Sequence, residues 1–129
     1  MTSCYLDASA LVKLLVTETE SIALRAFLES HERRFANRMA QVEVARAVTR
    51  AAVRGASVSD AFAGVELIEL DVHIAERAAT MGPSILRSID AIHLASALAV
   101  ADELEALVTY DARLADAARG VGLTVIAPA

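Results

Sequence analysis

Five short apolar segments alternate with longer segments of helical pattern along the chain, and this alternation constrains the fold more than any other feature of the sequence. Such an alternation predicts an α/β fold, in which a parallel β-sheet is flanked by α-helices. The 129 residues are enough for one domain with a proper hydrophobic core, so we predict a single domain over residues 1–129. The predicted strands are residues 4–6, 34–36, 67–70, 106–109 and 123–126.

Two of the predicted helices differ in the pattern of their apolar residues. Residues 39–54 carry an apolar stripe with charged residues opposite, which is typical of a helix on the surface of the core. Residues 89–101 are apolar on almost all sides, so this helix is predicted to be buried. The other predicted helices are residues 10–15, 21–29, 60–64, 72–81 and 112–119.

The composition excludes several classes of protein. With 56% hydrophobic and 22% charged residues the chain is not disordered, and a net charge of −5 argues against binding nucleic acid by charge alone. Acids neutralised by bound cations would remove that objection. The most apolar stretch, residues 91–101, is too short to span a bilayer, and the lone Cys4 cannot form an internal disulfide. We therefore expect a soluble cytoplasmic protein with no membrane partner.

Four acidic residues are the candidate functional residues: Asp7, Glu43, Asp90 and Asp111. Asp7 and Asp111 each follow a predicted strand, at the sheet edge where open α/β sheets bind ligands. Glu43 interrupts a helical segment, and Asp90 opens the apolar helix. A buried carboxylate is costly unless it is paired or coordinates a metal. Converging acids therefore predict a divalent cation site, most commonly used for phosphoryl chemistry.

Each acid also has a purely structural interpretation. Asp7 and Asp111 precede helices and are good N-cap residues, a role that is compatible with metal binding. Glu43 could pair with Arg46 on its own helix for a few tenths of a kcal/mol. Asp90 could complement the dipole at a helix N-terminus for roughly 0.3–1 kcal/mol, although Ser88 is already available as a cap. Asp90 fits its structural interpretation least well.

The histidines and arginines give weaker signals. His93 lies within the apolar helix and is predicted to be a core residue rather than a ligand. His31 and His73 have no Cys or His partner at the spacing of a zinc site. Three arginines near the helix with Glu43 could contact phosphates, and a solvated charged turn explains them equally well; they are Arg33, Arg34 and Arg38.

Three segments carry motifs that occur together in one known family. They are YLDASALVKL at residues 5–14, LRSIDAIHLA at residues 86–95 and VTYDARL at residues 108–114, and Glu43 lies between the first two. With these motifs the chain resembles PIN-domain ribonucleases, and specifically the VapC toxins of type II bacterial toxin–antitoxin systems. The similarity extends over essentially the whole chain.

The resemblance implies a cation-dependent endoribonuclease that hydrolyses RNA with a metal-activated water. It implies that the four acids hold Mg²⁺ or Mn²⁺ as the catalytic and metal-binding quartet, and that Ser9 and Thr109 support them. The Ser or Thr that the family usually places shortly before the helical acid has no counterpart here, where residues 38–41 read RMAQ.

The resemblance also implies partners: an RNA substrate, a cognate VapB-like antitoxin, and a second toxin subunit in a homodimer within the complex. Two alternatives within the family stay open, namely a housekeeping PIN nuclease and a non-catalytic PIN domain that binds RNA or a partner. Two alternatives outside the family are disfavoured. A receiver-type phosphoacceptor domain would need adjacent acids after the first strand, and an aspartyl phosphatase would need a carboxylate where Ser9 stands.

Overall fold

A five-stranded, all-parallel β-sheet forms the centre of the computed structural model, which describes residues 2–129. Helices cover the sheet, so the predicted α/β class is confirmed. The strand order is β3-β2-β1-β4-β5, with β1 in the middle. The strands are β1 (Ser3–Leu6), β2 (Arg33–Asn37), β3 (Val65–Ile68), β4 (Ala106–Val108) and β5 (Val125–Ile126).

The helices lie close to their predicted positions, with differences at the ends. The third helix ends at Ala51 and not at Arg54, because Ala52 adopts a left-handed conformation with φ 54°. Strand β3 begins two residues earlier than predicted, at Val65, which pairs with Arg34 of β2. The helices are α1 (Ala8–Val12), α2 (Ser21–Glu29), α3 (Met39–Ala51), α4 (Val58–Ala61), α5 (Val72–Ala79), α6 (Ser88–Ala99) and α7 (Ala112–Gly120).

The core lies on both faces of the sheet, because successive side chains of a strand point to opposite faces. Cys4 and Leu6 of β1 belong to one apolar cluster with α1, α2 and α3. Tyr5 belongs to the other cluster, together with Leu94 of α6 and Leu114 of α7. Helix α6 is buried as predicted. None of the helices described is long and apolar enough to cross a membrane.

The order of the strands places the predicted acids together. From β1 the chain proceeds outward through β2 and β3 on one side, then returns to add β4 and β5 on the other. Ligands of open α/β sheets bind at the carboxyl ends of the strands where the order reverses in this way. Asp7 directly follows β1, and Asp111 follows the neighbouring strand β4. The topology therefore brings both acids to that position.

The arrangement of the core predicts that a buried and an exposed apolar residue contribute very differently to the free energy of unfolding. Leu107, in the middle of β4, is completely buried, whereas Ile22 on α2 is 82% exposed. Leu107→Ala should lower the free energy of unfolding by about 2–5 kcal/mol, because a buried side chain is lost and a cavity remains. Ile22→Ala should change it by less than about 0.5 kcal/mol. Urea unfolding measures both, and equal losses would contradict the arrangement of the core.

Candidate active site

Asp7 is buried, with only 4% of the residue exposed, as is Asp90. One carboxylate oxygen accepts a hydrogen bond from the backbone N–H of Ala10 at 3.1 Å, so Asp7 caps helix α1. The Ser9 hydroxyl donates to the same oxygen at 2.7 Å, and the Thr109 hydroxyl donates to the other at 2.6 Å. The N-cap interpretation is thus correct, and it leaves a carboxylate oxygen facing Thr109 and the end of β4.

Ser9 and Thr109 also connect Asp7 to the segment that carries Asp111. The Ser9 hydroxyl accepts from the backbone N–H of Tyr110 at 2.9 Å, and the Thr109 hydroxyl accepts from the backbone N–H of Asp111 at 3.0 Å. Each hydroxyl therefore donates to Asp7 and accepts from the connection after β4. The structure places both predicted supporting residues against the acid that they were expected to support.

Burial dominates the ionisation of Asp7. It raises the pKa of this carboxyl above its usual value, and the hydrogen bonds from the Thr109 hydroxyl, the Ser9 hydroxyl and the Ala10 N–H offset only part of the effect. A raised pKa means that the folded protein tolerates the carboxylate poorly without a nearby positive charge. A bound cation would relieve that cost at Asp7.

Asp90 and Asp111 are held together by a residue that the sequence did not single out. The Arg87 guanidinium donates through Nε to one oxygen of Asp90 at 2.8 Å and through Nη2 to the other at 3.3 Å. The same Nη2 donates to Asp111 at 2.9 Å. Asp111 also caps helix α7 by accepting from the N–H of Leu114 at 3.0 Å. One positive group thus lies between two of the predicted acids.

Three of the four acids raise the pKa of the Arg87 guanidinium. Its hydrogen bond to Asp90 is the main cause that raises the pKa of Arg87, with smaller contributions from the charges of Asp111 and Glu43. The Asp90 side chain is 5% exposed and the Arg87 side chain 56%, so the arginine reaches in from the solvent side. Ser88 does not act as the predicted cap, because helix α6 has Arg87 at its N-cap position without a side-chain bond there.

Glu43 pairs with a histidine from another helix. Its carboxylate lies 2.6 Å from Nε2 of His93, whose residue is only 1% exposed. The alternative pair of Glu43 with Arg46 is not formed within 4.0 Å among the described residues. His93 is a buried core residue, as predicted, but it also contacts one of the predicted acids, which the sequence reading missed.

The three arginines near α3 are engaged elsewhere. Arg33 pairs with Glu66 and Glu103, and Arg38 pairs with Glu69 at 2.6 Å. Arg34, the third of them, donates to the carbonyl oxygen of Leu28 in the last turn of α2 and to that of His31 just after the helix. The solvated charged turn is therefore the interpretation that the contacts favour, and none of these three side chains is needed to describe the site.

The donor set fits a hard divalent cation, although the acids do not form one closed cluster. Carboxylate and hydroxyl oxygens are the ligands that Mg²⁺ and Mn²⁺ prefer. Among residues 2–129, no three His, Cys, Asp or Glu side chains lie close enough together to hold a metal ion. The reason is visible in the contacts, since Arg87 occupies the space between Asp90 and Asp111 and His93 holds Glu43. A guanidinium between two carboxylates marks a position that favours positive charge.

The spacing of Arg87 and His93 in the sequence indicates that both side chains lie on the same helix face as Asp90. They stand three residues before and three residues after Asp90, and residues at such intervals share one face of a helix. The Arg87–Asp90 contact is an ordinary i, i+3 pair. The contact between His93 and Glu43 spans 50 residues, so no local pattern reveals it.

Comparisons with known proteins agree with this arrangement. A family model described as the PIN domain matches residues 4–120. Ribonuclease VapC46 of Mycobacterium tuberculosis is 41% identical over 99% of each chain, and Ribonuclease VapC47 of the same species is 38% identical over 96% of each chain. The chain therefore belongs to the PIN domain family and, within it, to the VapC ribonucleases. The predicted resemblance is confirmed, and with it the nuclease class.

Solved structures show the same fold at lower identity. A toxin-antitoxin complex from Klebsiella pneumoniae matches with a TM-score of 0.71 and 21% identity, covering 98% of both chains. The Mycobacterium tuberculosis toxin VapC20, described as cleaving the Sarcin-Ricin loop, matches with a TM-score of 0.72 and 13% identity, covering 97% of this chain and 99% of that one. At these identities the likeness concerns the fold alone.

The burial of Asp7 predicts a pH-dependent stability. A group whose pKa is raised by folding stabilises the protein below its ordinary pKa of about 3.9, and that contribution is lost as the pH rises through the higher value of the folded state. Asp7→Asn removes the ionisation, so the variant should be more stable than the metal-free wild type at neutral pH, with the difference shrinking in acid. Urea unfolding in EDTA from roughly pH 3.5 to 8 measures it. A difference that does not change with pH would contradict the raised pKa.

Proposed function

We propose that this protein is the toxin of a type II toxin–antitoxin system and a cation-dependent endoribonuclease that uses Asp7, Glu43, Asp90 and Asp111. Membership of the VapC ribonucleases supports the reaction class. The single observation that carries the cation dependence is the position of the Arg87 guanidinium, which bridges Asp90 and Asp111. Two carboxylates that share one positive group can share a Mg²⁺ or Mn²⁺ ion in its place.

The roles of the side chains follow from their surroundings. Asp7 is oriented by its N-capping bond and by the hydroxyls of Ser9 and Thr109, and Asp111 by its own N-capping bond, so both carboxylates lie at the same edge of the sheet. A divalent cation bound there would activate a water and neutralise the charge of the phosphodiester. In an acidic protein of net charge −5, neutralising these acids also removes a repulsion toward RNA.

The partners belong to the same proposal. A free ribonuclease would damage its own cell, so we expect a VapB-like antitoxin that inserts an Arg or Lys among the acids, and a homodimer of toxin subunits within the complex. Arg87 shows that an arginine fits between Asp90 and Asp111. We propose that helices α1 and α3 form the docking surface for an amphipathic antitoxin helix.

Cation dependence of the reaction can be tested directly. Purified protein freed of its antitoxin should cut RNA with Mg²⁺ or Mn²⁺ and stop when EDTA is added. Asp111→Asn should lower the rate by more than about 100-fold, since even residues that only support metal ligands are worth about 10- to 100-fold. Cleavage rates on a labelled RNA measure both effects.

A matched control is available on the same helix. Asp116 lies on α7 with an 83% exposed side chain, so Asp116→Asn makes the same change of charge away from the site and should cleave at the wild-type rate. Full activity of Asp111→Asn, or undiminished cleavage in excess EDTA by protein free of contaminating nuclease, would reject the metal mechanism.

The antitoxin leads to a separate prediction about growth. Expression of the protein alone should stop growth, and co-expression with an antitoxin encoded next to it should restore growth and yield a complex that co-purifies. The Asp111→Asn variant should be harmless yet still bind the antitoxin. If the wild-type protein cleaves RNA in vitro but is harmless at high expression, a housekeeping PIN nuclease is the better assignment.

A further inference from the structure

A closed series of hydrogen bonds joins Glu43 to the start of its own helix through the core. The Asn37 side chain, at the end of β2, accepts from the backbone N–H of Met39, the first residue of α3, at 2.8 Å. The Asn37 backbone N–H donates to the Tyr5 hydroxyl at 3.1 Å. The Tyr5 hydroxyl lies 2.7 Å from Nδ1 of His93, and His93 Nε2 lies 2.6 Å from Glu43. The series therefore passes through β2, β1 and α6 before it returns to α3.

The direction of each bond follows from what each group can do. The carboxylate of Glu43 can only accept, so Nε2 of His93 carries the proton that it shares with Glu43. In a neutral imidazole Nδ1 is then the acceptor, and the Tyr5 hydroxyl is its donor. The Asn37 N–H donates to the Tyr5 oxygen. All three donors point toward Glu43, an arrangement in which each bond strengthens the next.

The surroundings keep this series rigid. Tyr5 is completely buried and His93 is 1% exposed, and their rings pack edge to face with centroids 5.8 Å apart. Burial raises the pKa of the Tyr5 phenol, which keeps its proton available to Nδ1. On the far side, Asn37 donates to the Ser96 hydroxyl at 2.9 Å, which ties the series to α6 a second time. The Glu43 side chain is by contrast 30% exposed.

We propose that His93, held as the Nε2–H tautomer by Tyr5, is a positioning residue that orients the Glu43 carboxylate for the cation. The inference deepens the proposed function, on which it rests, since it takes Glu43 as a metal ligand. It also accounts for the support of Glu43 in a chain that lacks a Ser or Thr shortly before it. Helix α6 then contributes twice, with Asp90 as an acid and His93 one turn later.

Isothermal titration with Mn²⁺ tests the proposal without measuring activity. His93→Leu removes the donor and should weaken Mn²⁺ binding about 10- to 100-fold, the usual effect of losing a residue that orients a metal ligand. His93→Gln keeps an N–H donor at the end of the side chain and should recover most of that loss. Equal Mn²⁺ affinity in wild type and His93→Leu would overturn the proposal, as would equally weak binding in the Leu and Gln variants.

Tyr5→Phe deletes one oxygen and leaves the rings packed. It should weaken Mn²⁺ binding less than His93→Leu, because His93 remains but loses the bond that holds Nδ1. A long-range ¹H–¹⁵N NMR spectrum of the metal-free wild type should show His93 with its proton on Nε2. A proton on Nδ1 alone would overturn the tautomer, and wild-type affinity in Tyr5→Phe would overturn the role of Tyr5.

A second buried histidine provides the control for loss of stability. His31 is 5% exposed and lies 3.4 Å from Glu105, and the two residues precede β2 and β4, at the amino ends of the strands and opposite to the edge that carries Asp7 and Asp111. His31→Leu should lower the melting temperature and leave Mn²⁺ affinity unchanged. A comparable loss of affinity in His31→Leu would show that His93 acts through general stability. If the wild type itself binds no Mn²⁺, the proposed function and the metal role of His93 both fail, whereas the NMR spectrum still decides the hydrogen bonds.

Discussion

The cost of holding carboxylates at the edge of a buried sheet governs the arrangement of this site. Each predicted acid has a partner that offsets that cost: hydroxyls and an N-cap bond for Asp7, Arg87 for Asp90 and Asp111, and His93 for Glu43. A buried charge without such partners would be strongly destabilising. The partners come from α1, the connection after β4, the residue before α6 and α6 itself, so the acids are positioned by contacts that join these elements.

The partners of the acids determine how replacing a single acid changes the stability of the metal-free protein. Repulsion among four carboxylates would make the loss of any one acid stabilising in metal-free protein, by a few kcal/mol per pair at an effective dielectric of about 20. Asp90 does not meet that condition, because its carboxylate forms an ion pair with Arg87 at 2.8 Å. Asp7 does, because burial raises its pKa and only neutral hydroxyls and a backbone N–H contact it directly. A substitution of Asp7 is therefore the best way to distinguish an effect on activity from a loss of stability.

The sequence predicted the features that depend on local pattern. Alternating apolar segments gave the sheet, and acids directly after strands gave Asp7 and Asp111 at its carboxyl edge, where the structure has them. Strand β3 was placed two residues late because its position depends on pairing with β2, which no local pattern encodes. The Glu43–His93 contact was missed for the same reason, since it depends on how α3 packs against α6.

Arg87 is the residue that a bound cation would have to replace in the metal-free site. Its side chain is 56% exposed and that of Asp111 is 26% exposed, so solvent screens the Arg87–Asp111 pair, whereas the Asp90 side chain is only 5% exposed and its charge needs a positive partner. A divalent ion carries twice the charge of Arg87 and is attracted by Asp7 and Glu43 as well. Under the proposed function, a cation could therefore replace the guanidinium because it would itself supply the positive charge that the buried Asp90 needs.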